Sequence, residues 1–189
     1  MIKSEKIMVI AVVPVGISRR LSGKHFLEFC NKRIIDVVVE NLNESNLFSK
    51  VIIYTINNFD IKNAEIIIDK WRTGVLPILI DALERFNENV FLLGGDMPLA
   101  NSKSFFPLLL YPESLSVIPK WENGYLEPLH ALYSKSALNF QKNKNSMHEF
   151  IEHIPKVFIK AEKIGKMAFF NINTKDDYIE LKKLCYGNF

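Results

Sequence analysis

Val90-Phe91-Leu92-Leu93-Gly94-Gly95-Asp96-Met97-Pro98-Leu99 joins four apolar residues to two glycines, an acid and a proline. The apolar run reads as a buried strand of parallel type, the glycines as a turn with special backbone freedom, and the proline as a fresh start of chain. In open α/β sheets ligands sit at the carboxyl ends of strands, and this tract delivers Asp96 to such an end. A carboxylate placed there has two readings. It holds a Mg2+ ion over nucleotide phosphates, since hard oxygen donors suit that ion and one or two carboxylates are the usual protein share. Or it is a turn acid that caps the next helix. The tract alone leaves both open.

Outward from it, the apolar runs at 7–13, 51–54, 65–68 and 115–118 are short, rich in β-branched or aromatic residues and bounded by polar residues or Gly and Pro. Buried strands look like this. Between them the spacing turns helical. Ile34, Ile35, Val38, Val39 and Leu42 recur at one helix face, and Leu76, Leu79, Ile80, Leu83 and Phe86 repeat the pattern behind Gly74. Strand alternating with helix implies βαβ units, because a right-handed crossover is the usual connection between parallel strands. Residues 129–133 and 156–159 read as later strands, 146–153 and 175–184 as later helices, and 141–146 as a mobile surface loop. The expected fold class is α/β: a single doubly wound, mostly parallel sheet with helices on both faces, in one domain over 1–189.

With 189 residues and 48% hydrophobic content the chain has enough apolar surface for one sizeable core. Its 24 basic and 21 acidic residues leave a net charge of +3, too slight to argue for nucleic acid. The two cysteines, Cys30 and Cys185, lack CxxC or Cys/His spacing, so neither a zinc site nor a disulfide framework is expected and a reducing cytoplasm fits. The apolar segment 7–13 is far too short to span a bilayer.

The first strand runs into Val13-Pro14-Val15-Gly16-Ile17-Ser18-Arg19-Arg20-Leu21-Ser22-Gly23-Lys24, with two glycines, two serines, two arginines and a lysine. That composition suits phosphate, with backbone N–H groups around the anion and Arg20 and Lys24 neutralising charge that builds during transfer. A basic, solvated loop is the plainer reading, and the spacing is not that of a P-loop. Asn171 and Asn173 stand at alternate positions of an extended segment, so their side chains share a face; Asn173 also suits an Asx cap for a helix beginning near Thr174. His130 reads as a packed histidine. Trp71, Trp121 and Tyr125 suit stacking on a base or pterin, with core or rim packing the commoner role. His25, His148 and His153 have no metal-ligand spacing and are assigned no role.

These residues resemble the nucleotidyltransferases of the molybdenum cofactor guanylyltransferase type. Val13 to Leu21 is similar to that family's Leu-Ala-Gly-Gly-x-Ser-x-Arg-Met signature, with Lys24 as its lysine. Gly74-Val75-Leu76-Pro77-Ile78 resembles the segment opening the helix after the third strand, and Gly94-Gly95-Asp96-Met97-Pro98 the metal-binding turn. Glu127-Pro128-Leu129-His130-Ala131-Leu132-Tyr133 resembles a Gln-Pro-Leu-x-Ala-Leu-Tyr block, and Phe170 to Asp177 the closing Asn-Ile-Asn-Thr block. Two departures stand out. Pro14 and Val15 replace an alanine and a glycine, and the distance from Arg20 to Lys24 is one residue short. Arg20-Leu21-Ser22-Gly23-Lys24 instead resembles the Arg-Leu-Pro-Gly-Lys of CMP-sugar synthetases, while the closing block also resembles archaeal adenosylcobinamide-phosphate guanylyltransferases.

The resemblance implies transfer of GMP from GTP to molybdopterin with release of pyrophosphate. Arg20, Lys24 and Asp96 would be catalytic, with Asp96 the Mg2+ ligand. Val13, Gly16, Ser18, Asn57, Asp69, Gly74, Asn171 and Asn173 would bind substrate, Asp69 meeting the guanine edge. The implied partners are GTP or another NTP, a phosphorylated pterin acceptor and, transiently, other cofactor-biosynthesis proteins, without nucleic acid or membrane. A cytidylyltransferase, a cobinamide-phosphate guanylyltransferase and a non-catalytic nucleotide-binding relative are the alternatives.

Overall fold

The computed structural model describes residues 8–18, 20–69, 74–142 and 144–186; Arg19, Trp71 and Asn143 lie outside the described residues. Strand β1 (Val9–Val15) is buried along its whole length, as a strand covered on both faces must be. A two-stranded ribbon, β2 (Glu28–Phe29) and β3 (Lys32–Arg33), leads into helix α1 (Ile34–Glu44). There follow β4 (Val51–Thr55), β5 (Glu65–Ile68), α2 (Val75–Phe86), β6 (Asn89–Leu93), α3 (Ser102–Phe105), β7 (Ser116–Lys120) and β8 (His130–Tyr133). Helix α4 (Met147–His153), β9 (Lys156–Lys160), α5 (Ala161–Ile164) and α6 (Lys175–Tyr186) complete the order.

Among the described residues seven strands form one sheet, in the order β5-β4-β1-β6-β8-β7-β9. Only β8 runs against its neighbours: it is antiparallel to β6 and to β7, whereas β5, β4, β1 and β6 pair in parallel, as do β7 and β9. The mostly parallel sheet expected from the alternating pattern is therefore present. Side chains alternate across it. Val9, Ala11, Val13 and Val15 pack toward α1, whose Ile35, Val38, Val39 and Leu42 are buried on that face. Ile10 and Val12 pack toward α2, through Leu76, Leu79 and Leu83. Each fully buried side chain of this size is worth about 1.5–3 kcal/mol relative to exposure, so the two helix stripes hold β1 as the centre of the molecule. The chain builds outward from β1 to β5, then returns to β6 on the other side of β1. That reversal opens a crevice at the carboxyl ends of β1 and β6.

Strand β1 extends two residues past its expected end and takes in Pro14, paired beside Tyr54. The hydrogen-bond ladder permits this. Ala11 N donates toward β4, to Lys50 O at 2.9 Å, so odd-numbered residues face β4 and even-numbered ones face β6. Pairing with β6 ends at Val12, and a proline at 14 forfeits no ladder bond.

The cysteines correct an expectation: Cys30 and Cys185 form a disulfide with a Cα–Cα distance of 5.3 Å. Cys30 and Asn31, with φ of 48° and 65°, make the tip of the β2–β3 ribbon. Leu181 and Ile172 bury themselves with Phe29 and Ile34, and the Tyr178 hydroxyl donates to Glu28 O at 2.8 Å, which lays α6 on the ribbon and brings the sulfurs together. At a sequence separation of 155, no local spacing signals the pair. Cysteine usage consequently gives no argument for a reducing compartment. No helix among the described residues is long and apolar enough to cross a membrane. Because the bond closes so long a loop, reducing it or substituting Cys185→Ser should lower unfolding free energy by about 2–4 kcal/mol in urea titrations. Coincident oxidised and reduced curves would show that the pair does not close in solution.

Candidate active site

Gly23, in the left-handed region at φ 67°, turns the chain after the loop into a short 3-10 turn spanning Lys24–Phe26. That turn sends the Lys24 side chain inward, where it is almost fully buried. Its ammonium pairs with Asp96 Oδ2 and donates to Asn173 Oδ1 at 3.1 Å. The guanidinium of Arg20 stands 3.5 Å from the same Asn173 oxygen. Three segments far apart in sequence thus meet at the Lys24 ammonium. Backbone bonds hold them: Gly94 N donates to Leu129 O at 2.9 Å, and Ile172 N donates to Asp96 O at 3.1 Å.

Both glycines of the turn stand in crowded surroundings. A Cβ on Gly94 would lie 2.8 Å from Asp96 Oδ1, and one on Gly95 would lie 3.1 Å from the His25 ring and 3.2 Å from Val15 Cγ2. The capping alternative for Asp96 does not hold, because α3 is capped by Asn101, whose side chain accepts from Lys103 N at 3.0 Å. Asn173 is likewise released from capping. Thr174 and Asp177 exchange bonds at the start of α6, with Asp177 Oδ2 accepting from the backbone of Asn173 and Thr174. Asn171 Oδ1 accepts from Asn173 Nδ2 at 2.8 Å, which turns the Asn173 carbonyl oxygen toward the cations.

A cavity of about 680 Å³ opens over the carboxyl ends of β5, β4, β1 and β6. Gly16, Ser18, Arg20 and Lys24 line it from the first loop, Asp96 and Asn173 from the cluster, and Asp69 with Gly74 from beyond β5. Three strand spacings separate the ends of β5 and β6, roughly 14 Å, a span suited to a nucleoside and its first phosphate. Gly74, at φ 91°, starts α2 against this cavity, so the helix N-terminus faces it. Not every expected residue is gathered there. Val13 is wholly buried in the core of the sheet, Asn57 lines a second cavity, and Asn171 acts on the site through Asn173. Tyr54 and His25 line the larger cavity without having been singled out as site residues. The Tyr54 hydroxyl donates to Asp81 Oδ2 at 2.6 Å, and burial raises its pKa. For His25 the only signal was its place beside Lys24.

Burial lowers the His25 pKa to about 4; Lys24 acts in the same sense and Asp96 against it. His130 is also held near 4 by burial, opposed by the contact of its Nε2 with the Ser104 carbonyl at 3.3 Å. Its ring lies among Phe169, Phe91 and Phe105 at centroid distances of 4.9, 5.5 and 5.7 Å, the packed role expected of it. Trp121 is structural as well, donating to Glu127 Oε1 at 2.6 Å and packing edge-on against Phe169. Tyr125 is exposed.

Among the described residues no three His, Cys, Asp or Glu side chains cluster as a metal cage. One carboxylate beside an amide oxygen fits Mg2+, which retains waters and takes phosphate oxygens; it does not fit an ion that needs an all-protein cage.

The family profile of the MobA-like NTP transferase domain matches residues 14–152. A Pyrococcus furiosus protein named as a probable molybdenum cofactor guanylyltransferase is 32% identical over 91% of this chain and 95% of its own. One of the same name from Thermococcus sibiricus is 31% identical over 93% and 97%. The crystal structure of molybdopterin-guanine dinucleotide biosynthesis protein A from Archaeoglobus fulgidus superposes with a TM-score of 0.75 at 26% identity, covering 95% of this chain and 99% of that one. A CMP:2-keto-3-deoxy-manno-octonic acid synthetase complexed with CTP shares the fold, with a TM-score of 0.70 at 15% identity, over 95% and 98%.

Both histidines are protonated more readily in the unfolded chain, where the pKa is near 6.5. Their contribution to stability is therefore complete above pH 6.5 and is lost as pH falls toward 4. Urea titrations should show a loss of roughly 2–4 kcal/mol between pH 7 and 5, and His130→Phe should remove about half of that dependence. A variant with the wild-type pH slope would show that His130 is not held neutral.

Proposed function

Because the chain belongs to the MobA-like NTP transferase family, we propose that it transfers GMP from GTP to the terminal phosphate of molybdopterin, releasing pyrophosphate. The observation that carries this reading is the convergence of Lys24, Asp96, Asn173 and Arg20 at one end of a cavity whose other end holds Asp69. The relatives named as guanylyltransferases, similar to this chain over nine-tenths of its length, support the same donor and acceptor.

The acceptor phosphate attacks the α-phosphorus in line and the pyrophosphate oxygen departs. A phosphate dianion is already a competent nucleophile, so no covalent enzyme intermediate and no strong general base are required. Catalysis is then positioning and charge neutralisation. Lys24 and Arg20 offset charge on the transferring and leaving phosphates. The first loop presents the backbone of Gly16 and the hydroxyl of Ser18 to the phosphate chain. Asp69 accepts from the ring N–H and amino group of guanine, a pattern that cytosine lacks. Asp96, with Asn173 beside it, would hold Mg2+, whose Lewis acidity would offset charge on the reacting phosphates.

Pyrophosphate release measured with GTP, CTP and ATP against a phosphorylated pterin tests the assignment. GTP should be the preferred donor, and CTP as the best donor would overturn the base assignment. Asp96→Ala should lower kcat about a hundredfold or more, with the fold retained by circular dichroism. Turnover at the wild-type rate would remove Asp96 from the catalytic set.

A further inference from the structure

A second cavity of about 370 Å³ lies beside the first and shares with it the Val15–Ser18 stretch of the loop, His25, and Thr55 with Ile56 at the end of β4. The two differ in chemistry. The larger one holds Arg20, Lys24, Asp69 and Asp96, while His25 is the only ionisable side chain among the described residues lining the smaller one. Ile17, Ile56, Phe26 and Phe59 give it an apolar, partly aromatic side that is open to solvent, beside the hydroxyls of Ser22 and Thr55. Phe26 is 43% exposed and Ile17 78% exposed. Phe26 is fixed in orientation, meeting Phe59 edge to face with centroids 5.0 Å apart and interplanar angle 86°, beneath the Arg33 guanidinium at 6.0 Å. Arg33 is itself locked by Asp36 at 2.6 and 2.7 Å and by Asp60 O at 2.6 Å. Amides stand at the rim: Asn57 and Asn58 line the cavity, and Thr55 Oγ1 donates to Asn57 O at 3.1 Å.

An immobilised exposed ring, an apolar wall and an amide rim without charge suit a flat, uncharged heteroaromatic ligand. They do not suit a polyphosphate. A transferase of this kind needs two binding places that meet at the reacting phosphates, and the partition between these cavities, His25, adjoins Lys24 and the Asp96 turn. We propose that the smaller cavity is the berth of the acceptor's heterocycle, a pterin-type ring stacked on Phe26, with its phosphate-bearing arm passing His25 to reach Lys24 and Asp96. This rests on the transfer reading above, and it assigns Phe26 and the Asn57–Asn58 amides to the acceptor.

Pterin fluorescence titrations on the full chain, with and without a saturating α,β-methylene analogue of GTP, test it. Pterin should bind equally well in both, and Phe26→Ala should weaken it about tenfold or more while leaving the GTP analogue within twofold. Phe26→Trp, which keeps a stacking face, should restore binding. Phe26→Leu replaces Phe26→Ala if the smaller residue does not fold, with the same expectation. Expulsion of pterin by the GTP analogue, unchanged pterin binding in the variant, or a larger loss for the analogue than for pterin would each overturn the berth. Wild-type protein that binds pterin in this manner yet releases no pyrophosphate from GTP and a phosphorylated pterin would overturn the transfer reading and leave the berth standing.

Discussion

The ion pair between Lys24 and Asp96 is the constraint on which the rest of the site depends. Both side chains are about nine-tenths hidden from solvent, and burying two charges is costly unless each is fully met by partners. The surrounding structure meets that need. Asn173 Oδ1 takes a further proton of the ammonium, Gly23 supplies the left-handed turn that aims Lys24 inward, and Gly94 leaves room for the Asp96 carboxylate against its own backbone. Such a pair contributes little net stability compared with an apolar substitute. Its value is a fixed arrangement of charge, already organised before substrate arrives.

The sheet supplies the frame. Its switch point at β1 and β6 places the loop after one strand and the turn after the other on either side of a single crevice. The altered loop is less damaged than its residues suggest. Pro14 belongs to the strand rather than the phosphate loop and gives up no ladder bond, and Val15 closes on Gly95 together with His25. The segment after β9 completes the site from a distance, since the bond from Ile172 N to Asp96 O and the packing of α6 against the β2–β3 ribbon carry Asn173 into place.

Much of this was legible in the residues. The strands, though not the exposure of the edge strands β5 and β9, the helix faces of Ile34 to Leu42 and Leu76 to Leu83, and the turn carrying Asp96 follow from periodicity and from Gly and Pro, which act over a few residues. Asn171 and Asn173 were found by their alternation. The disulfide was not, because Cys30 and Cys185 are joined only by tertiary packing, and neither was the place of His25, which depends on the direction of a turn set by Gly23. Asp69 and Asn57 were grouped among the substrate-binding residues, yet they line different cavities. Asp69 follows β5 and Asn57 follows β4, and how the two strand ends are shared between the cavities is set by tertiary packing that no linear pattern records.

Fate of label from GTP carrying 32P at the α or the γ position, incubated with a phosphorylated pterin and quenched in alkaline detergent with EDTA, is the most direct test of direct transfer at the Lys24–Asp96 cluster. The α label should appear in a pterin–guanosine dinucleotide, none should remain on the protein, and the γ label should leave as pyrophosphate. Label from the γ position on the acceptor, or α label retained covalently on the chain, would contradict it.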